Sequence, residues 1–410
     1  MERPYEKLLR YVRVHTASEE GEDYRLPSTD RQFDLARMLE KELKELGAQK
    51  VRVSDKCYVY AVLPATPGCE KAPKLGFIAH MDTIPGFPGE NVCPQVIENY
   101  DGGEVVLGTS GRVLKPAGFP WLPSLKGRTL ITTDGTTLLG ADDKAGVAEI
   151  MCLAEKLIGE NIPHGEIGIA FTPDEEIGRG PDGFEVEAFG CDYAYTMDGD
   201  AEGGIEYENF NAASAQVQFN GFNVHPGSAK DTMINASLVA MEFNAMLPAA
   251  ERPEHTEDYE GFYHLTGMQG ETERAELSYI IRDHSLPLLE AKEKTLRLIE
   301  KNINEKYGAG TCVLTIKEGY RNMAEKILPE FHLVENAKKA CELAGVTPDV
   351  KPIRGGTDGA TLSFMGLPCP NLGTGGHAFH GPYEHITAEG MDKALGIMLN
   401  LVAMYKEKIK

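Results

Sequence analysis

"EIGIAFTPDEEIGRG", residues 166–180, runs as apolar, strand-like residues to Thr172, meets Pro173, and then sets Asp174, Glu175 and Glu176 side by side. Like charges this close repel, and a fold normally spreads them over solvent. Acids gathered at the end of an apolar run ask for a countercharge. Two more apolar runs of the same kind are "LGFIAH" (75–80) and "DYAYTM" (192–197). In between, "DKAGVAEIMCLAEKLIG" places Val147, Ile150, Met151, Ala154, Leu157 and Ile158 at helical spacing. Strand-like runs alternating with helix-like segments predict an α/β layer around a mainly parallel sheet.

In open α/β sheets ligands bind beyond the carboxyl ends of the strands, and the acids and imidazoles fall there. "FIAHMDT" ends with His80 and Asp82, and "LLGADDKAG" puts Asp142 and Asp143 at the mouth of the helix. "YTMDGD" ends with Asp198 and Asp200, and "GGHAFHGPYEH" supplies His377, His380 and His385. Pooled on one sheet edge, this charge would raise the carboxylate pKa values and destabilise the fold; divalent cations remove the difficulty. Oxygen and nitrogen ligands without thiolate suit zinc, and also cobalt or manganese. Two divalent ions are balanced by three carboxylates and a hydroxide, which leaves a nearby acid free to act as a base. Adjacent residues leaving a strand point apart, so one of Glu175 and Glu176 can ligate while the other faces the activated water. Such a site suits amide hydrolysis without a covalent intermediate.

The middle of the chain has a different pattern. "AASAQVQFNG" (212–221) alternates as a half-buried strand, and "DTMINASLVAMEFNAML" (231–247) has helical periodicity. Two strands, "GFYHLTGMQG" and "AELSYIIRD", precede the helix "PLLEAKEKTLRLIEKNINEKYG" and the strand "TCVLTIKEG". The order β-α-β-β-α-β predicts an inserted ferredoxin-like α+β domain over 208–320, interrupting a domain made of 1–207 and 321–410. An insertion also accounts for 410 residues, too many for one small core.

Composition narrows the partners. Sixty-three acids against 41 bases leave a net charge of −22, which argues against nucleic acid and anionic membranes. The eight cysteines form no C-x-x-C pair, and scattered thiols in a large chain suggest a reduced, cytoplasmic setting. "MERPYEKLLRYVRVHT" lacks the apolar core of a secretion signal. Neither G-x-S-x-G nor H-E-x-x-H occurs. "HGPYEH" misses an H-x-x-E-H zinc motif by one residue, and Gly381 and Pro382 forbid the helix it needs.

Taken together, "GFIAHMDT", "LLGADDKAGVAEIM", "AFTPDEEIGRG", "YAYTMDGD", "NAASAQVQFNGFNVHPGSAK" and "KPIRGGTDGATLSFMGLPCPNL" resemble the peptidase T family, the aminotripeptidase branch of the dinuclear zinc exopeptidases. The resemblance runs from "PSTD" near residue 27 to the C-terminal helix. It implies a zinc-peptidase-like catalytic domain with the insertion as a lid, two Zn²⁺ per subunit, and small peptides as substrates. His80 and Asp198 match ligands of one ion, Asp142 the carboxylate shared by both, and Glu176 and His380 ligands of the other. Glu175 matches the general base and Asp82 the acid that orients His80. His225 resembles a lid histidine that stabilises the oxyanion, and Arg282 and Arg354 resemble residues placed for the substrate carboxylate. Near His380 the chain departs from the family, which tends to have an aromatic where His377 stands and no histidine at the position of His385. His380 keeps the His-Gly followed by Glu384 and is retained; His377 is the alternative.

The same ligands would serve a dipeptidase, a carboxypeptidase or an N-acyl amino acid deacylase. A non-catalytic metal- or peptide-binding protein is the alternative outside enzymes, although such a protein has no use for Glu175, Asp82 and His225. The exposed face of the lid sheet could pair with a second copy to form a homodimer.

Overall fold

The protein is described by a computed structural model covering residues 2–21 and 24–406. The chain divides into two compact units. The first runs to Tyr207 and resumes over Glu325–Lys351 and from Thr357 onward; the second is Glu208–Ala324 with Pro352–Gly356.

Eight strands form the main sheet of the first unit, in the order Gln49–Val53, Val59–Leu63, Ile167–Thr172, Leu75–His80, Tyr193–Gly199, Asn371–Gly373, Gly204–Glu206 and Asp349–Val350. The four from Ile167–Thr172 to Asn371–Gly373 are mutually parallel, with antiparallel strands added on both sides. Leu75–His80 and Ile167–Thr172 are buried at every position, as expected of parallel strands covered on both faces. Glycine allows one of those covers to come close. A Cβ on Gly76 would lie 2.7 Å from the Phe189 ring, and one on Gly168 would lie 2.4 Å from Cys191 Sγ.

The helix Ala141–Gly159 packs on Leu75–His80 and Tyr193–Gly199. Its first turn is irregular, with Asp142 at φ −82°, ψ 105° and Asp143 at φ −120°, ψ 32°. The closing helix is Ala388–Tyr405.

A second, antiparallel sheet of this unit joins Gly376–His377, His385–Thr387, Leu130–Thr132 and Gln95–Ile97. Strands of two or three residues are too short to show periodicity, so this layer leaves no mark in the sequence pattern.

The second unit is a four-stranded antiparallel sheet in the order Phe262–Gly270, Arg274–Asp283, Asn211–Asn220, Cys312–Glu318. With the helices Ala236–Ala245 and Leu286–Tyr307 this is the expected ferredoxin-like arrangement. Phe219, Leu277, Tyr279 and Ile281 meet Val239, Phe243, Leu296 and Ile303 in its core. The first of these helices starts at Ala236, later than the periodicity from 231 suggests. Asn235 caps it, its side chain accepting from Leu238 N at 3.2 Å, and Asp231 sits at φ +58°, outside any helix.

Candidate metal centre

The parallel strands end side by side, and each of the first three hands the chain to an acid or an imidazole. His80 closes its strand and is only 2% exposed. Its Nδ1 lies 3.0 Å from the Asp82 backbone oxygen and 3.4 Å from Asp82 Oδ1, so Nδ1 carries the donated hydrogen and Nε2 faces the site. That Nε2 is 2.9 Å from Asp142 Oδ1 and 3.4 Å from Asp198 Oδ1. The other oxygen of Asp142 belongs to a different set: His380 Nε2 is 3.0 Å from Asp142 Oδ2 and 3.1 Å from Glu176 Oε2. One carboxylate therefore faces two imidazoles, each with a further acid beside it.

Ligand atoms of His80, Asp142 and Glu176 lie within 4.8 Å of one another, as do those of His80, Glu175 and Asp198. All are oxygen or imidazole nitrogen, a donor set that fits a pair of divalent cations.

Electrostatics point the same way. Burial would lower His80, but Asp198 and hydrogen bonds to Asp142, Asp198 and Asp82 raise it well above the usual imidazole value. Hydrogen bonds to Asp142 and Glu176 push His380 up to about 11. Burial drives Glu176 up to about 7 despite His380, and burial with the Asp198 charge raises Glu175 well above the carboxylate range. Asp142 is lowered: burial works against its charge, but the His380 and His80 hydrogen bonds outweigh it. The protein atoms by themselves thus draw protons into the pocket, and metal cations supply positive charge in their place.

The three adjacent acids do different work. Asp174, in the left-handed region at φ +58°, accepts from Ser28 N and Oγ at 2.5 Å each and from Gln32 Nε2 at 2.6 Å. Glu175 and Glu176 form a short 3₁₀ turn whose amides donate to Asp82 at 3.0 and 3.2 Å. Asp82 thus fixes that turn as well as touching His80, a second task that the sequence did not suggest.

Other supports also went unseen. Glu384 is buried and accepts from Leu139 N, Gly140 N and Asp142 N at 2.7, 2.8 and 3.0 Å, clamping the loop that carries Asp142. Burial pushes it up to about 7 against those three bonds. Asp143 accepts from His80 N at 3.1 Å and from Gly146 N at 3.2 Å. Asp358 accepts from Thr172 Oγ1 at 2.8 Å. Glu384 and Asp358 lay within quoted motifs, but only the fold reveals what they hold.

His377 does not join the cluster. Its ring packs against both Trp121 and His385, at centroid distances of 5.6 and 5.3 Å, and burial pushes it down to about 3. His385 donates from Nδ1 to the Tyr383 carbonyl at 2.8 Å and accepts from Trp121 Nε1 at 3.1 Å. Of the histidines in this segment, only His380 faces Asp142.

His225, Arg282 and Arg354 belong to the second unit. His225 is exposed, and its Nδ1 accepts from Gly227 N at 3.1 Å, which leaves the ring hydrogen on Nε2. Arg282 donates from Nε to the Tyr320 hydroxyl at 3.1 Å and from Nη1 to the Ala213 carbonyl at 3.1 Å. Arg354 donates to the carbonyls of Asp258 and Glu260 at 2.7 and 3.0 Å and to Thr256 Oγ1 at 3.0 Å, holding the 256–260 segment.

A parallel α/β sheet whose strand ends gather two imidazoles and four carboxylates defines a metallohydrolase-like centre. Residues 133–404 match Peptidase family M20/M25/M40, and the chain belongs to that family. A Peptidase T from Clostridium perfringens is 55% identical over 410 residues, with both chains covered completely. Among solved structures, the aminopeptidase PepT from Bacillus cereus superposes with a TM-score of 0.79 at 23% identity, covering 99% of this chain and 98% of that one. A Bacillus subtilis protein described as a dinuclear metal-binding peptidase of the M20 family gives 0.67 at 17% identity, with 99% of each chain covered. The last two likenesses speak for the fold. Among the described residues no helix is long and apolar enough to cross a membrane.

Proposed function

We propose that this protein is a cytoplasmic metallo-aminopeptidase that releases the N-terminal residue of tripeptides with the aid of two zinc ions. One observation carries the reading: the two oxygens of Asp142 face His80 and His380 separately, with Asp198 beside the first imidazole and Glu176 beside the second. His80, Asp142 and Asp198 would hold one ion, and Asp142, Glu176 and His380 the other. Bound there, such a pair would supply a water activated near neutral pH and polarisation of the scissile carbonyl.

The remaining steps fall to side chains. Glu175 takes a proton from the attacking water as the C–O bond forms and the carbonyl oxygen becomes an oxyanion, then delivers that proton to the amine nitrogen, whose C–N bond breaks as the carbonyl reforms. Asp82 fixes both the His80 ring and the Glu175 amide. His225, with hydrogen on Nε2, would donate to the developing oxyanion. Arg282 and Arg354 are assigned to the substrate carboxylate; Arg354 already holds the 256–260 segment, so Arg282 is the freer of the two. The full-length identity to a Peptidase T supports tripeptides as substrates. Pairing of two copies through the lid sheet is compatible with this reading.

The test is release of alanine from Ala-Ala-Ala, compared with Ala-Ala and Ala-Ala-Ala-Ala, before and after chelation and after return of Zn²⁺, Co²⁺ or Mn²⁺. The tripeptide should be cut fastest, activity should vanish with chelator, and zinc should restore it. Preference for a dipeptide, a C-terminal residue or an N-acylated amino acid would replace the substrate assignment.

A further inference from the structure

A cavity of about 280 Å³ opens in the second unit, lined by the segment from Asn244 to Glu254 and by residues of the strands Phe262–Gly270 and Arg274–Asp283. Leu247, Tyr263 and Tyr279 form its walls and are almost completely buried. Both phenol groups are already engaged: Tyr279 donates to Asn244 Oδ1 at 3.0 Å and Tyr263 to the Lys292 carbonyl at 3.2 Å. Their rings therefore offer mainly carbon surface.

The charged residues of the lining differ among themselves. Glu251 is paired with Lys292. The half-buried Arg252 guanidinium and the exposed Glu254 carboxylate have no hydrogen-bond or ion-pair partner among the described residues. A cation half removed from water without an anion is unfavourable, so this site favours a ligand that brings a carboxylate. A free anion next to it favours a ligand that also brings an ammonium group. Cavities of about 150 Å³ already hold benzene, so the space suffices for a large apolar side chain. None of these residues belongs to the metal cluster.

We propose that this cavity binds a free amino acid with an apolar side chain: the α-carboxylate on Arg252, the ammonium on Glu254, and the side chain against Leu247, Tyr263 and Tyr279. The proposal does not rest on the reaction assigned above.

Calorimetric titration of the full chain with L-phenylalanine, both zinc-loaded and after chelation, tests it. Binding at one site per chain is expected in both forms. 3-Phenylpropionate (no ammonium), phenethylamine (no carboxylate) and glycine (no apolar side chain) should each bind at least tenfold more weakly. Arg252→Gln should weaken L-phenylalanine at least tenfold and Glu254→Gln severalfold, both leaving cleavage of Ala-Ala-Ala in the absence of added amino acid unchanged. Absence of binding at millimolar concentrations would overturn the proposal. So would binding seen only with zinc present, or equal binding by wild type and both variants. Loss of tripeptide cleavage by the wild type would instead count against the enzymatic reading and leave this result standing.

Discussion

In the second unit, Asn211–Asn220 and Arg274–Asp283 alternate, sending Phe219, Leu277 and Ile281 onto Phe243 and Leu296. Among its described residues, the only buried acids or histidines are Asp283 and His284, at the end of a strand. The first unit has an apolar sheet of the same quality but buries His80, Asp82, Asp143, Asp174, Glu384 and Asp358 at or near its strand ends. Apolar packing stabilises by removing carbon from water, and each part does so largely on its own. A crowd of buried acids is tolerable only if each finds a donor or a cation. One unit is stabilised mainly by apolar packing, whereas the other is completed by what it binds.

That difference can be broken from the metal side first. Asp142→Asn removes a charge shared by both halves of the centre, so both ions should be lost or greatly weakened and peptide cleavage abolished; metal analysis after dialysis checks this. Retention of two ions would show that Asp142 does not bridge. Glu175→Gln should keep the fold and metal content while lowering turnover by about 10²–10⁴-fold. Near-normal turnover would remove Glu175 from the role of base.

The opposite experiment acts on the second unit. Phe243→Ala deletes a fully buried ring and should cost about 3–5 kcal/mol, read as earlier unfolding in denaturant, with the metal content of the first unit unchanged. A fall in metal content would mean that the two units do not behave separately.

The smallest effect sharpens the comparison inside the first unit. Glu149 is fully buried on the helix Ala141–Gly159, and neither of its oxygens has a hydrogen-bond partner among the described residues. Burial, with Glu202 and Asp392 adding to it, raises its carboxyl well above the ordinary value. The folded state therefore holds a proton that the unfolded chain releases. Stability from this group is greatest below the ordinary carboxylate pKa and declines as pH rises above it. Glu149→Met should stabilise the protein by about 1–3 kcal/mol at neutral pH, with the gain shrinking toward pH 4. A gain independent of pH would show that the carboxyl does not titrate between the folded and unfolded states.

Much of this was legible beforehand because it is local. The runs 75–80, 166–172 and 192–197 read as strands since parallel strands buried on both faces need continuous apolar residues. The second unit was legible because alternation and helical spacing follow each other cleanly there. The layer containing Gln95–Ile97 and Leu130–Thr132 was not, since three residues carry no period. Asp82 read as an orienter of His80, but its bonds to the amides of Glu175 and Glu176 span more than ninety residues of chain and leave no local trace. Glu384, which holds three amides more than two hundred residues away, is illegible for the same reason.

The sequence by itself determined that acids and imidazoles would stand at the ends of buried strands, because strand period, chain breakers and charge are properties of neighbouring residues. It favoured His380 over His377 only through the His-Gly followed by Glu384. Tertiary structure separates the two by stacking one ring on Trp121 and turning the other toward Asp142 and Glu176. Which side chains share a cation depends on distances across the sheet edge, and those distances exist only once the remote segments have packed.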